Sequence, residues 1–328
     1  MKLLLLYRKS GINYSIERVF DVLLEILQKD VDVYKVTVPY YKIKLLHLLK
    51  NMCYCYRRRK EINHITGDVH YCGLLLPSGK TILTIHDTVS LTIYSGFYRV
   101  LIYLFWYYWP LRSVKYVTCI SEKTKAELLR YFPWAEKKIR VIYNPVSPDY
   151  VFLEKVLCKE IPKILHIGTR ENKNLFRVIQ ALHNISCELR IIGELTEEQI
   201  AALRKYGINY IVKTHLTDNE IVKEYRECDI VSFPSIYEGF GMPIIEGQAT
   251  GRVVLTSDIA PMNEIAGEAA WFVNPYDVES IRNGFIKLIN DAELRKELIS
   301  KGKENVKRFA VEKITADYLN LYREVFNG

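Results

Sequence analysis

The sequence predicts an α/β protein of two doubly wound domains. Short apolar runs alternate with amphipathic helical patterns from one end of the 328 residues to the other, the mark of βαβ units on parallel sheets. The alternation pauses once, at "NPVSPDYVFLEKVLCKEIP" (144–162), where three prolines and no clear period read as a linker. A chain of this length suggests about two domains.

In the first half the strand candidates are "KLLLLY", "VDVYKVTV", "EINHIT", "TILTIH", "KYVTCI" and "IRVIYN", with helices such as "SIERVFDVLLEILQKD" between them. After the linker come "KILHIG", "ELRIIG", "NYIVKT", "DIVSFP", "VVLTS" and "AAWFV". From Asn174 onward, Leu175, Val178, Ile179 and Leu182 fall at helical spacing and place one face toward a sheet. "TEEQ" (196–199) and "TDNE" (217–220) fit the capping box, in which threonine accepts an amide proton and the fourth side chain reaches back. Helical patterns at about 292–307 and 312–326 close the chain. In this architecture ligands bind at the carboxyl ends of the strands, and with two such domains the expected place is the cleft between them.

Charge is unevenly placed. Residues 1–150 hold 23 Lys+Arg against 12 Asp+Glu, whereas 151–328 hold 23 against 26. The surplus predicts an anionic partner for the first half: nucleic acid, an anionic membrane or a phosphorylated substrate. No nucleic-acid-binding motif accompanies it. The seven cysteines are scattered, and Cys53 and Cys55 lack a matching pair at zinc spacing, so reduced thiols are expected. "MKLLLLYRKS" does not read as a signal peptide, because Arg8 and Lys9 end its apolar run at once. The apolar run 100–111 falls short of the ~20 residues a spanning helix needs. A cytoplasmic protein is expected.

The informative stretch is "SIYEGFGMPIIEGQATG" (235–251). "DIVSFPS" reads as a buried strand and "IYEGFG" leaves its carboxyl end. Pro243 suits the first helical position and Gly251 the residue past the helix end, so a helix of about 243–250 is expected. Its free N–H groups, with those of Phe240, Gly241 and Met242, make a place for an anion or a hydroxyl-rich ligand. Glu246 is expected in the first helical turn, where a carboxylate can accept two hydrogen bonds from a vicinal diol. Glu238 sits before the loop, on the ligand side. Without the glycines and proline between them, the two acids would read as a dipole complement and a solvated side chain.

The stretch from "FPSIYEGFGMPIIEG" to "WFVNPYD" resembles the signature region of glycosyltransferase family four, retaining enzymes of GT-B fold that use nucleotide sugars; the E-x(7)-E pattern is Glu238 to Glu246. "ILHIGTRENKNLFRVIQAL" resembles the family's phosphate-binding segment, "TILTIHD" its first-domain strand ending in histidine, and "YRKSGINYSIERV" its glycine loop. The resemblance implies an acceptor-side domain over 1–150, a nucleotide-sugar domain over 158–310, and a last helix, about 311–328, packed back on the first. It implies that Glu246 holds the ribose hydroxyls and Glu238 lies under the donor sugar. Phe240, Gly241 and Met242 would offer amides to sugar or diphosphate, and Arg170 and Lys173 would bind the diphosphate. Gly11 would let its loop approach, and His86 would hydrogen-bond the transferred sugar. Arg170 stands three residues before Lys173, farther than the family often has it.

Charge develops on a diphosphate leaving group, so fixed cations and amide dipoles are what the chemistry needs. Lys173, Arg170 and the helix at 243 can supply them without a metal, and no cofactor is expected. "DVD" (30–32), the lone D-x-D, reads as a polar turn. An acceptor on a glycan or a polyprenyl diphosphate is expected. In "YYKIKLLHLLKNMCYCYRRRK" (40–60), Leu45, Leu48, Leu49 and Met52 share a helical face beside basic residues. That pattern fits a membrane-surface helix, a helix packed on the first sheet, or both. The aromatic run 103–109 reads as core. An epimerase on the same fold and a non-catalytic subunit are the alternatives; the glutamate pair with "KN" argues against both.

Overall fold

The computed structural model describes residues 1–9, 15–157 and 160–328. They form two compact units: Met1–Pro145 with Val311–Gly328, and Val146–Ala310.

The first unit holds a six-stranded sheet of β1 (Lys2–Tyr7), β2 (Asp32–Thr37), β3 (Ile62–Ile65), β4 (Thr81–Ile85), β5 (Tyr116–Cys119) and β6 (Ile139–Val141). Their spatial order is β2-β1-β3-β4-β5-β6 and every pair is parallel. Helices cover both faces, which is why Leu3 to Leu6 of β1 are all buried and the strand is apolar without alternation. The helix Val311–Asn327 belongs to this unit and buries Ile314, Tyr318 and Tyr322 in a core with Leu3, Leu5, Phe20 and Leu23. It is also tied by hydrogen bonds. His64 of β3 stands 2.7 Å from the Tyr322 hydroxyl on one side and 2.7 Å from Thr84 Oγ1 on the other.

The second unit repeats the plan with β7 (Lys163–Ile167), β8 (Glu188–Ile192), β9 (Tyr210–Lys213), β10 (Ile230–Phe233), β11 (Val253–Ser257) and β12 (Trp271–Val273). The order is β12-β11-β10-β7-β8-β9, again parallel throughout. Both expected capping boxes form, at Thr196 with Gln199 and at Thr217 with Glu220.

Each sheet has a point where the strand order reverses: between β1 and β3 in the first unit, and between β7 and β10 in the second. Loops leaving neighbouring strands there diverge to opposite faces and open a crevice at the carboxyl ends, where α/β sheets bind ligands.

The linker reading of 144–162 is corrected. Val146 N already donates to Phe309 O (2.9 Å), and Lys155 Nζ lies 2.8 Å from Asp229 Oδ1. Residues 146–157 therefore pack on the second unit, and the first stretch of chain in the first unit ends at Pro145 rather than 150. A proline-rich sequence without period can still be held by side-chain and backbone hydrogen bonds, which composition does not report.

Candidate active site

At the reversal point of the second sheet, two loops meet. The first leaves β7. Gly168 takes φ +91°, and a Cβ there would lie 2.9 Å from Lys173 Cγ. Glycine thus provides both the left-handed backbone and the room for the Lys173 chain to lie across it. Glu171–Lys173 forms a short 3₁₀ turn, and Asn174, at φ 65°, starts the helix Leu175–Ala181. Asparagine tolerates this conformation better than most residues, and here its buried amide donates to Pro234 O (2.9 Å) and Pro275 O (2.6 Å).

The second loop leaves β10, and its carboxylate meets the first. Lys173 Nζ donates to Glu238 Oε1 at 2.7 Å, and Asn172 Nδ2 reaches the same oxygen at 3.2 Å. Asn172 Nδ2 also donates to Tyr237 O (2.9 Å), while Ile236 N donates to Asn172 O (2.9 Å). The Lys173 and Glu238 side chains keep only 21% and 14% of their surface in solvent, so their attraction is less screened than a surface pair's. Lys173 Nζ also lies 4.8 Å from the Phe233 ring centre, a cation over the negative face of the ring. Buried His166 on β7 feels the site: burial, then the Lys173 charge, push its pKa down to about 3.

Beyond Glu238 the chain turns at Gly241 (φ +116°) into the helix Met242–Ala249. The helix starts one residue before the position expected, because Gly241 occupies its cap. Pro243 is therefore second, and Glu246 lies past the first turn, which holds no acidic residue. Gly251 ends it at φ +74°, as expected of a residue past a helix. Phe240 is buried edge-on to Phe309, and Met242 is half-buried. Glu246 Oε2 accepts a 2.6 Å hydrogen bond from Tyr225, a buried residue of the helix Asp218–Glu227. Arg170 precedes the 3₁₀ turn and its side chain is exposed. Gly11 lies outside the described residues.

In the first unit, a cavity of about 360 Å³ opens at the carboxyl ends of β1, β3 and β4. Its lining includes Arg8, Asp68, His86, Asp87, Trp106 and Tyr107. His86 Nε2 donates to Thr66 O (2.7 Å), which leaves Nδ1 as the acceptor of a neutral ring; burial lowers its pKa. Asp87 Oδ1 accepts from Val89 N (3.0 Å), a bond that holds the turn after β4. Trp106 Nε1 donates to Asp68 O (2.8 Å), and Arg8 is held between Glu17 and Asp68.

Residues 155–305 match the family described as Glycosyl transferases group 1, and residues 46–150 match Glycosyltransferase Family 4. The chain belongs to this glycosyltransferase family. The chain is 25% identical over 239 residues to O-antigen chain mannosyltransferase B of Escherichia coli, covering 65% of this chain and 61% of that one. It is 27% identical over 210 residues to the N-acetylgalactosamine-N,N'-diacetylbacillosaminyl-diphospho-undecaprenol 4-alpha-N-acetylgalactosaminyltransferase of Campylobacter jejuni, covering 61% and 57%. The chain thus spans about three fifths of the length of these relatives. The structure of Anabaena Alr3699/HepE in complex with UDP-glucose superposes with a TM-score of 0.78 at 15% identity, over 99% of this chain and 100% of that one. The chain has the GT-B fold.

Two of the expected residues, Lys173 and Glu238, are in contact, and Glu246 follows on the next helix. Sequence reasoning did not single out Asn172, Asn174 or Tyr225. The repeated asparagines of "ENKN" were the available signal, since asparagine both accepts left-handed backbone and donates to two carbonyls at once. Tyr225 carried none, because its partner is distant in sequence. Among the described residues no three His, Cys, Asp or Glu side chains group as a metal site would need. No helix among them is long and apolar enough to cross a membrane.

Proposed function

We propose that the chain is a retaining glycosyltransferase that moves a sugar from a nucleoside-diphosphate sugar to a glycan or lipid-linked acceptor in surface polysaccharide or glycolipid synthesis. The observation that carries this reading is the Lys173–Glu238 contact at the β7/β10 reversal, beside the helix that begins at Met242.

Lys173 provides the positive charge for the departing diphosphate, and the N–H groups at Phe240, Gly241 and Met242 add amide dipoles. Arg170 contributes a second cation at the loop entrance. Glu238, already fixed by Lys173 and Asn172, stabilises positive charge at the sugar without bonding to it. The C–O bond to the diphosphate breaks, the acceptor oxygen attacks from the same face, and its proton passes to a departing phosphate oxygen. No metal is needed in this scheme. Glu246 takes the ribose hydroxyls. A trapped covalent glycosyl adduct on Glu238, sought by mass spectrometry, would refute the scheme.

The acceptor is assigned to the first unit. His86 Nδ1, the acceptor side of a neutral ring, takes a hydroxyl of the transferred sugar. The helix Leu45–Arg58 turns Asn51, Met52 and Cys55 inward while Leu45, Leu46 and Leu49 stay exposed beside Lys42, Lys44 and Lys50. That pattern suits the surface of an anionic membrane carrying a lipid-diphosphate acceptor, on the cytoplasmic face. The Campylobacter relative is named for such an acceptor, and the Anabaena structure holds UDP-glucose. A thermal-shift screen across nucleotide sugars tests the reading, since a bound donor raises the melting temperature by mass action. Stabilisation by one nucleotide sugar, followed by labelled-sugar transfer to a lipid diphosphate, supports it; no stabilisation by any refutes it.

A further inference from the structure

We propose that Tyr225 is a positioning residue for the nucleoside: it sets the Glu246 carboxylate so that the site selects a ribose bearing its hydroxyls. The inference rests on the assignment of Glu246 to the ribose.

Tyr225 sits in a frame that leaves its hydroxyl little freedom. The ring is fully buried and meets Tyr150 edge to face, with centres 5.2 Å apart. Its helix, Asp218–Glu227, starts at a complete capping box. The preceding residue, buried Glu224, anchors that helix to the sheet: Arg190 Nε of β8 donates to it at 2.7 Å and Lys213 Nζ of β9 at 2.5 Å. The opposite partner is equally placed. A Cβ on Gly247, next to Glu246, would come within 3.0 Å of Val231 and Val254, so the helix Met242–Ala249 lies hard against β10 and β11. The 2.6 Å bond from Tyr225 to Glu246 Oε2 thus joins two elements that are each held independently.

A glutamate has three torsions, and a carboxylate that must meet two hydroxyls of a ribose gains by having them settled beforehand. A short hydrogen bond from a neutral, buried donor does this without placing a competing charge beside the carboxylate. Burial and the Glu246 charge hold the Tyr225 hydroxyl protonated at every working pH.

The test compares affinities of UDP and GDP with those of their 2′,3′-dideoxy counterparts, for the wild type, Tyr225→Phe and Glu246→Gln, by calorimetry. The ratio of the two affinities is independent of the folded fraction, and Tyr225→Phe retains the ring against Tyr150. We expect the wild type to prefer the ribose form, and Tyr225→Phe to lose about tenfold of that preference with dideoxy binding unchanged, one charged hydrogen bond's worth. Glu246→Gln should lose the same preference. Equal loss on both ligands, or none, in Tyr225→Phe overturns the inference while leaving the donor reading intact. If the wild type binds no nucleoside diphosphate of any base, the donor reading falls and this inference with it.

Discussion

Lys173 and Glu238 share a hydrogen bond of 2.7 Å across two loops that are 65 residues apart in sequence. Each charge is half-buried, and each loop ends a strand at the sheet's reversal point. A cation held against a carboxylate in this way costs no reorganisation when a diphosphate develops charge beside it. Replacing Lys173 by Ala should lower kcat by about 10²–10³-fold, the scale of one lost electrostatic donor. The donor KM should change less. An unchanged kcat in steady-state assays would remove Lys173 from the chemistry.

Asn172 links Tyr237 O and Glu238 Oε1 through one amide nitrogen. Asn172→Ala leaves that carbonyl without its side-chain donor and frees the loop, so about 1–3 kcal/mol of stability should be lost. Activity should fall further than stability, because the Glu238 rotamer loosens. Denaturant unfolding measured beside kcat separates the two effects.

Gly168→Ala strains a backbone at φ +91° and drives a methyl to within 2.9 Å of the Lys173 side chain. The backbone term alone is about 1–3 kcal/mol. The displaced lysine should also lose its bond to Glu238. Gly207→Ala is the control: φ is +63° there, but no atom lies within 4 Å of a Cβ. Both should lower the melting temperature, and only Gly168→Ala should also depress kcat.

Stability should fall as pH drops below about 6.5. Burial lowers the pKa of His64 to about 3 and of His166 to about 3. The unfolded chain takes up these protons near pH 6.5 while the folded one does not, so acid favours unfolding. Above pH 6.5 both states are neutral and the contribution is flat. At pH 5 the His64 term alone is about 2 kcal/mol. His64→Gln should shift the acid-unfolding midpoint downward, at some cost in neutral stability from lost bonds to Tyr322 and Thr84.

The helix Leu45–Arg58 ends in Arg57 and Arg58, with Arg59 and Lys60 following. Neutralising 57–60 should weaken flotation with anionic vesicles, and raising salt should weaken the wild type likewise, since a Debye length is about 8 Å at physiological ionic strength. Leu45→Ser and Leu46→Ser should weaken it through apolar contact, with little effect on salt dependence. Unchanged flotation in all of them would remove this surface from membrane binding.

Every described strand fell on a run read as one. The central strands were legible because a parallel strand buried on both faces must be an apolar run, as "KLLLLY" and "DIVSF" are, whereas the edge strands Asp32–Thr37 and Tyr210–Lys213 bury none of their residues fully. Both capping boxes were legible because threonine and its partner lie three residues apart and act locally. The linker was misread because 146–157 is held by partners far along the chain, such as Asp229 and Phe309. The start of the helix after Gly241 was off by one, since proline is tolerated at more than one position in a first turn.

The strands, the helices and the short loops that carry Glu238 and Lys173 were readable along the chain alone, since local periodicity and turn chemistry act within a few residues. Long-range packing was needed to bring Lys173 to Glu238, to let Asn172 and Asn174 tie those loops together, and to set Tyr225 against Glu246. These contacts join residues 21 to 101 positions apart. The Lys173–Glu238 contact exists because the sheet reverses its order between β7 and β10 and brings those two strand ends side by side.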